Sequence, residues 1–294
     1  MRRLLSIAFP VFALLTADCG DGGEMPIQAR VMTFNVLCSF CSSDYDPWDE
    51  RLGYFEDILT RHDPDLVGLQ EIAFPEEVDQ FLALREGFAA VYYQGSEPGP
   101  LGLTDYPDAT VLFRQDRFEL VDHGFYWLSP TPDEPWSAGF ATGGQLPRLV
   151  TWTRLLELAS EREIAFITTH FDNNTPSQER SAPLLLERTA DLADVPIIVT
   201  GDFNSQPTDP AYSTLVQGVD GLAFGNTFDM VEPFELLANR DPAPAYEPEA
   251  RIDHIFVAGP AEFTCSEWSA DVYLYGPLER FPSDHRALSA EIAF

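Results

Sequence analysis

From Gln28 onward, short runs of β-branched and aromatic residues alternate with segments in which apolar side chains recur every three or four positions. The first kind predicts strands over residues 30–37, 65–69, 89–93, 110–114, 118–127, 150–156, 164–169, 196–200, 252–257, 272–275 and 287–292. The second kind predicts helices. Leu52, Phe55, Ile58 and Leu59 form one apolar face, and Val78, Phe81 and Leu82 form another behind Pro75. A third helix is expected to start with Thr175 as N-cap, Pro176 at the first helical position and Gln178 closing a capping box. Pro183 should kink or shorten it, because proline removes a backbone donor. Asp209-Pro210 opens a short fourth helix. No repeat or change of composition divides residues 28–294, so one α/β domain is expected there. Stretches 96–108, 129–146 and 240–250, rich in Pro, Gly or acids, read as loops of the kind that carry specificity on a rigid scaffold.

The first residues follow another pattern. Arg2 and Arg3 precede an apolar run over 4–17, interrupted by Pro10 and shorter than the roughly 20 residues of a membrane-spanning helix. Residues 1–18 are therefore expected to be an export signal. The run ends in Leu15-Thr16-Ala17-Asp18-Cys19, which looks like the lipid-attachment box of bacterial lipoproteins, although Asp18 fits it poorly. Lipidation of Cys19, giving a membrane tether, and simple cleavage nearby are the two alternatives, with residues 19–27 as a flexible linker. Either way the expected location is outside the cytoplasm: a cell-envelope lipoprotein, periplasmic or extracellular. An oxidising compartment favours disulfides. Cys38 and Cys41 have redox-motif spacing but follow a strand rather than opening a helix, and no second pair completes a zinc site. A structural disulfide using two of Cys38, Cys41 and Cys265 is the expectation.

Composition narrows the picture further. A chain of 294 residues that is 45% hydrophobic and 13% aromatic can build a sizeable core, which excludes a disordered acidic polymer. Its 48 acidic residues face 17 basic ones, all of them arginine, for a net charge of −31. Such a chain has no overall attraction for nucleic acid or anionic lipid, and an anionic substrate must be held locally.

Polar residues of unusual type stand at the ends of otherwise apolar strands: Asn35, Glu71, His170, Asp202, Asp253 and the pair Asp284-His285. Buried carboxylates are costly unless paired or metal-bound, so a cluster is the economical explanation. Glu71, Asp284 and Asn35 offer the hard oxygen donors that suit magnesium. His170 and His285 can donate to a phosphate oxygen, and Asp202 can orient or deprotonate an attacking water. No Ser-His-Asp elbow and no glycine-rich phosphate loop followed by Lys is present. His254 should face away from Asp253 on its strand and be structural; His123 has no motif partner.

The ordered set Thr33-Phe34-Asn35, Leu69-Gln70-Glu71, Thr169-His170-Phe171-Asp172, Gly201-Asp202-Phe203-Asn204, Arg251-Ile252-Asp253 and Ser283-Asp284-His285 resembles the endonuclease/exonuclease/phosphatase superfamily, and the stretches around residues 110–127 and 147–152 look similar to its secreted or lipoprotein bacterial members. The resemblance implies a DNase I-like four-layer α/β sandwich, with two mostly antiparallel sheets face to face, helices outside and a divalent-metal site at one edge. It implies Glu71 as leading metal ligand, with Asn35 and Asp284 contributing directly or through water, and magnesium as the ion, with manganese able to substitute. Asp202 would act on the nucleophilic water, Asn204 would hold that water or the phosphate, and His285, oriented by Asp253, would stabilise the transition state beside His170. Arg148 and Asp172 are candidate substrate contacts. Leu37 stands two residues after Asn35 where some nuclease branches have an acid, and His170 stands where abasic-site endonucleases tend to have tyrosine, which argues against that repair activity.

The expected function is an exported, Mg-dependent hydrolase of phosphoesters, foremost a phosphodiesterase, acting as a monomer. The alternatives are a nuclease, a phosphomonoesterase acting on a small or lipid-linked phosphate, and an inactive surface binding module on the same scaffold.

Overall fold

In the computed structural model, which describes residues 26–99, 102–138, 140 and 146–294, the first strand already carries the logic of the fold. The expected export signal, Cys19 and most of the expected linker lie outside the described residues. Strand β1 (Gln28–Asn35) sends Ala29 and Val31 into an apolar layer between two sheets and Met32 and Phe34 into a second layer beneath helices. Alternation along a strand then places Thr33 and Asn35 on the inner face with Val31.

The first sheet has seven strands in the order β10 (Glu235–Leu237), β12 (Thr264–Asp271), β13 (Leu288–Ala293), β1, β2 (Leu66–Gln70), β4 (Asp105–Arg114) and β3 (Phe88–Gln94). The second has six, in the order β5 (Phe118–Trp127), β6 (Leu149–Glu157), β7 (Arg162–His170), β8 (Ile197–Asp202), β11 (Asp253–Ala258) and β9 (Gly225–Asn226). Among the described residues only the pairs β1–β2, β10–β12 and β7–β8 are parallel, so the sheets are mostly antiparallel. Helices α1 (Trp48–His62) and α2 (Pro75–Leu84) cover the outer face of the first sheet through Phe55, Ile58, Leu59, Val78 and Phe81. Helices α3 (Thr175–Ala190) and α4 (Pro210–Gln217) cover the second through Ala182, Leu185, Leu186 and Leu215. The result is the expected four-layer α/β sandwich. Its inner layer packs Val31, Leu66 and Val111 against Phe166, Ile198 and Ile255.

Several local expectations need correction. Residues 272–275 form no strand; the strand is β12, which ends at Asp271. Its first half is largely exposed and polar, which hides it from a hydrophobic pattern. Tyr273 and Tyr275 are apolar for another reason: Tyr275 stacks on Tyr54 at 4.5 Å, and the Arg61 guanidinium lies 3.6 Å from the Tyr273 ring centre. The N-cap of α3 is Asn174, whose side chain accepts from Ser177 N at 3.2 Å, so Thr175 is already helical. Asn is at least as good a cap as Thr, and proline is tolerated anywhere in the first turn. Gln178 closes no capping box; it donates to the Asn204 carbonyl at 2.7 Å. Pro183 does not end α3, because the buried row on either side of it, Ser181, Ala182, Leu185 and Leu186, keeps the helix on the sheet.

The two sheets approach closely at Gly68. A Cβ there would lie 2.1 Å from Thr200 Oγ1 and 2.6 Å from Thr168 Oγ1. Gly68→Ala should therefore destabilise the fold by about 1–3 kcal/mol through overpacking, and Thr200→Ala in the same chain should recover part of that loss. Urea denaturation of the three variants checks this; strictly additive losses would show that the clash is relieved elsewhere.

Candidate active site

The parallel pairs β1–β2 and β7–β8 finish at the same end of the sandwich. In register there, Asn35 lies opposite Gln70, His170 opposite Asp202, and Asp202 in turn opposite Asp253 at the start of β11. The inner faces change character toward this end. Ile198, Thr200 and Asp202 follow one another on β8, as Phe166, Thr168 and His170 do on β7, and Val31, Thr33 and Asn35 on β1. A hydroxyl layer separates the apolar core from the charged end. Gln70 ties it across the sheets, donating to Thr168 Oγ1 at 3.0 Å and accepting from Thr33 Oγ1 at 3.4 Å.

Beyond that layer, buried Asn35 joins two carboxylates. Its Nδ2 donates to Glu71 Oε1 and to Asp202 Oδ2, both at 3.0 Å, while its Oδ1 accepts from Leu37 N at 3.0 Å. Glu71 is held in the left-handed region, φ 65°, with its N–H on the Asp108 carbonyl at 3.0 Å and its Oε2 accepting from Cys38 N at 3.2 Å. Such a conformation in a non-glycine residue costs about 1–3 kcal/mol and persists only where the surroundings impose it. Asn204, φ 48°, donates its N–H to Asp202 Oδ1 at 2.8 Å and its Nδ2 to the Phe171 carbonyl at 3.0 Å.

Both imidazoles converge on the same oxygen. His170 Nε2 lies 3.5 Å and His285 Nε2 3.6 Å from Asp202 Oδ2. His285 Nδ1 is 2.8 Å from Asp253 Oδ2. Burial works against a charge on His285, but Asp253, Asp202 and Asp284 outweigh it and hold its pKa up to about 10. At neutral pH His285 is therefore an imidazolium with N–H groups on both sides, a donor and not a base. His170 Nδ1 lies 2.7 Å from Arg148 Nη1 and 3.1 Å from Asp108 Oδ1. Arg148 favours a bare Nδ1 and Asp108 a protonated one, and in either arrangement Nε2 points toward Asp202. Burial lowers the pKa of Arg148, yet Asp108, Tyr106, Asp202 and Asp172 together raise it, so its charge is secure. Burial raises the pKa of Asp108, and His170 and Arg148 bring it below the usual carboxylate value.

The structure thus assembles Asn35, Glu71, His170, Asp202, Asn204, Asp253 and His285, with Arg148 touching His170 and buried Asp172 close enough to Arg148 to act on its charge. Asp284 stands apart from the buried set: it is exposed, its Oδ1 accepting from Ser283 Oγ at 3.2 Å. The Ser283 hydroxyl also reaches the Asn35 carbonyl at 2.7 Å, which ties the Asp284 loop to β1. His254 faces the other way, with Nδ1 3.1 Å from Asn226 Nδ2 and Nε2 2.9 Å from the Ser205 carbonyl. His123, on β5, donates its backbone N–H to Asp122 and has its ring edge against Phe125.

Sequence reading missed Asp108 by assigning it to a loop. It belongs to β4, and because β4 runs antiparallel to β2, the early residues of β4 arrive at the end where β2 stops. The sequence signal was an acid just ahead of an apolar run, the mirror image of the other motifs. Arg51 was missed as well. It is buried beneath the site, its guanidinium donating to the carbonyls of Val36, Leu37, Cys38 and Pro282.

Among the described residues, two acid-containing groups have ligand atoms close enough to share a metal: Asp202, Asp253 and His285, and Cys38, Cys41 and Glu71. The cysteines of the second group are tied to each other in a disulfide, which leaves Cys265 free and removes both thiolates as ligands. What remains is oxygen-rich, and the buried Asp253 Oδ1 has no hydrogen-bond partner. Half-buried Glu71 and exposed Asp284 are two further hard donors nearby, both close enough to Arg51 to act on its charge. This chemistry fits a divalent cation.

A four-layer sandwich with carboxylates, two imidazoles and a buried arginine gathered at one end defines a phosphoester-acting hydrolase. The chain belongs to the Endonuclease/Exonuclease/phosphatase family, which it matches over residues 32–285. Nocturnin from Rattus norvegicus is 26% identical over 248 residues, 76% of this chain and 53% of that protein; the chain spans about half the length of the curated relatives it matches. An endonuclease/exonuclease/phosphatase family protein from Bacteroides thetaiotaomicron superposes with a TM-score of 0.75 at 27% identity, covering 92% of this chain and 97% of that one. The mannosyl-6-phosphatase of Bacteroides thetaiotaomicron VPI-5482 gives 0.73 at 26% identity, covering 90% and 100%.

If Asp253 sustains the charge of His285, Asp253→Asn removes its main support. The imidazolium is favoured below its pKa and lost above it, so lowering that pKa moves the alkaline limb of the kcat profile toward neutrality. A fall in kcat of about 10²-fold or more is expected, with metal affinity much less affected. A pH profile of kcat and a metal titration of the variant measure both; an unmoved alkaline limb, or equal loss of both quantities, contradicts the assignment.

Proposed function

We propose that this protein is an exported, magnesium-dependent phosphodiesterase, active as a monomer. The observation that supports it most directly is the convergence of His170 Nε2, His285 Nε2 and Asn35 Nδ2 on one oxygen of Asp202, within 3.6 Å. A carboxylate ringed by donors is poised beside the groups that must contact a phosphoryl oxygen.

Glu71 and Asp284 would hold the ion, with Asn35 bracing Glu71. When bound, magnesium supplies positive charge to the phosphoryl oxygens. Asp202 orients the attacking water and takes its proton, and Asn204 fixes the opposite oxygen of that carboxylate through its backbone N–H. His285, charged and steadied by Asp253, donates to the phosphoryl oxygen on which negative charge grows. His170 offers a second N–H, and Arg148 keeps the ring in place. Manganese, with similar oxygen coordination, should substitute for magnesium.

A phosphomonoesterase is the second reading, favoured by the likeness to a mannosyl-6-phosphatase at 26% identity over 90% of the chain. A nuclease is disfavoured by a net charge of −31 and the absence of lysine, since duplex binding relies on neutralising several phosphates. An inactive binding module gives no reason for so many acids and imidazoles to share one pocket at a cost in desolvation. Export rests on residues 1–18, and a lipid tether on Cys19; a mass measurement of the mature chain from its native host separates acylation from plain cleavage.

Hydrolysis of bis(p-nitrophenyl) phosphate should require Mg²⁺, stop with excess chelator, and fall by about 10²–10⁴-fold in Asp202→Ala and His285→Ala. p-Nitrophenyl phosphate as a parallel substrate ranks diester against monoester. Full activity in chelator, or in Asp202→Ala, overturns the reading.

A further inference from the structure

The wall of the site formed by Glu71, Arg148 and His170 is also the inner wall of a recess of about 190 Å³. Beyond those three residues and Asp108, which pairs with Arg148 and His170, its lining is apolar: Phe40, Ile72, Phe74, Leu103, Tyr106 and Leu146, with the Cys38–Cys41 disulfide. Nothing in the phosphoester chemistry requires such a lining. Phe40 is 71% exposed and Leu146 47% exposed at the rim, and the ring of Phe40 lies 5.8 Å from that of Phe74. Leaving large apolar side chains in water around a concavity is unfavourable unless something covers them.

The recess is also a built feature. Phe40 sits between the two cysteines of the Cys38–Cys41 disulfide, in a turn closed by Cys41 N on the Cys38 carbonyl at 3.2 Å. The same Cys38 donates its N–H to Glu71, so the turn that presents Phe40 is fastened to the candidate metal ligand. Tyr106 gives its hydroxyl to the Pro147 carbonyl at 3.0 Å, which satisfies its polar end within the protein. Ile72 and Phe74 follow Glu71 directly in the chain, so the backbone that delivers the carboxylate also delivers the apolar wall.

We infer that this recess receives an apolar substituent of the substrate, of about the size of one aromatic ring or a six-carbon alkyl group, joined to the phosphorus through an ester oxygen. The size follows from the volume: a cavity of about 150 Å³ lined by apolar side chains holds benzene. The position follows from the shared wall, since a group seated there has its attachment point at His170 and Arg148, where the phosphoryl group must lie. The inference rests on the phosphoesterase reading of the adjoining site and narrows it. Sugar phosphates and polynucleotides present hydroxyl groups or further charges to this wall, whereas an aryl or alkyl phosphoester presents apolar surface.

The test is direct binding by calorimetry, in magnesium, of methyl-, butyl-, hexyl-, decyl- and phenylphosphonate to the mature chain. Each methylene entering the recess should tighten binding by about fourfold, the gain levelling off near hexyl. Phenylphosphonate tighter than hexyl identifies an aryl occupant, and the reverse an alkyl one. In Phe40→Ser and Leu146→Ser, both at exposed positions where folding is not at stake, and in Phe74→Asp, the ratio of hexyl to methyl affinity should collapse. A flat series in the unaltered chain, or a gradient that survives all three substitutions, overturns the inference. Because binding is read without turnover, a chain that binds the series with this gradient but hydrolyses no phosphoester would count against the enzymatic reading and not against the recess.

Discussion

Two carboxylates from opposite sheets, Glu71 and Asp202, are held together by the two amide protons of Asn35. Without that bridge their repulsion and desolvation would act unopposed, and a buried charge left without a partner costs several kcal/mol. Much of the surrounding structure serves to keep this bridge in place. Asn35 is anchored at Oδ1 by Leu37 N and at its carbonyl by Ser283; Glu71 is held at its N–H by Asp108 and at Oε2 by Cys38. A geometry pinned at so many points barely reorganises when charge develops on a substrate, and that is how electrostatic stabilisation becomes effective.

The bridge in turn depends on how the sandwich changes along its length. Its middle is apolar, and the ends of β1, β2, β7 and β8 are charged. A direct junction between the two would leave carboxylates facing hydrocarbon. The intervening layer of Thr33, Gln70, Thr151, Thr168 and Thr200 supplies hydroxyl and amide groups that pair with each other or with backbone carbonyls. It also sets the separation of the sheets. Gly68 lets Thr168 and Thr200 come close enough to place His170 and Asp202 against Asn35, so a residue with no side chain governs the distance between groups that carry the chemistry.

Most of this was legible in the sequence, for a physical reason. Strands buried on both faces, such as β1, β7 and β8, announce themselves by apolar runs, and a carboxylate or imidazole closing such a run is conspicuous. Legibility failed where burial was partial or local. Strand β12 is half exposed, and β9 and β10 are two and three residues long, too short for any period to register. The cap of α3 shifted by one residue because Asn174 and Thr175 are both competent. Asp108 escaped because it precedes its apolar run instead of following it. The apolar recess could not be read at all: Phe40, Leu103 and Leu146 lie in stretches with no periodicity, and only the folded chain sets them beside Glu71.

Charge at this end of the molecule bears on what can bind. Glu71, Asp108, Asp172, Asp202, Asp253 and Asp284 meet Arg148, Arg51, Arg286 and the imidazolium of His285, so acids outnumber cationic groups only modestly here, inside a protein whose total is −31. A divalent cation held as proposed would lower the cost of bringing a phosphoryl group into this pocket, and so would bear on substrate affinity as well as on rate. The same balance discriminates between esters. A monoester is close to a dianion at neutral pH, whereas a diester carries a single negative charge, and in a negative field the second charge roughly doubles the electrostatic cost of entry. On the proposed phosphodiesterase reading the single charge of a diester is the cheaper one to admit, and an apolar group in the adjoining recess would supply the binding energy that electrostatics withholds.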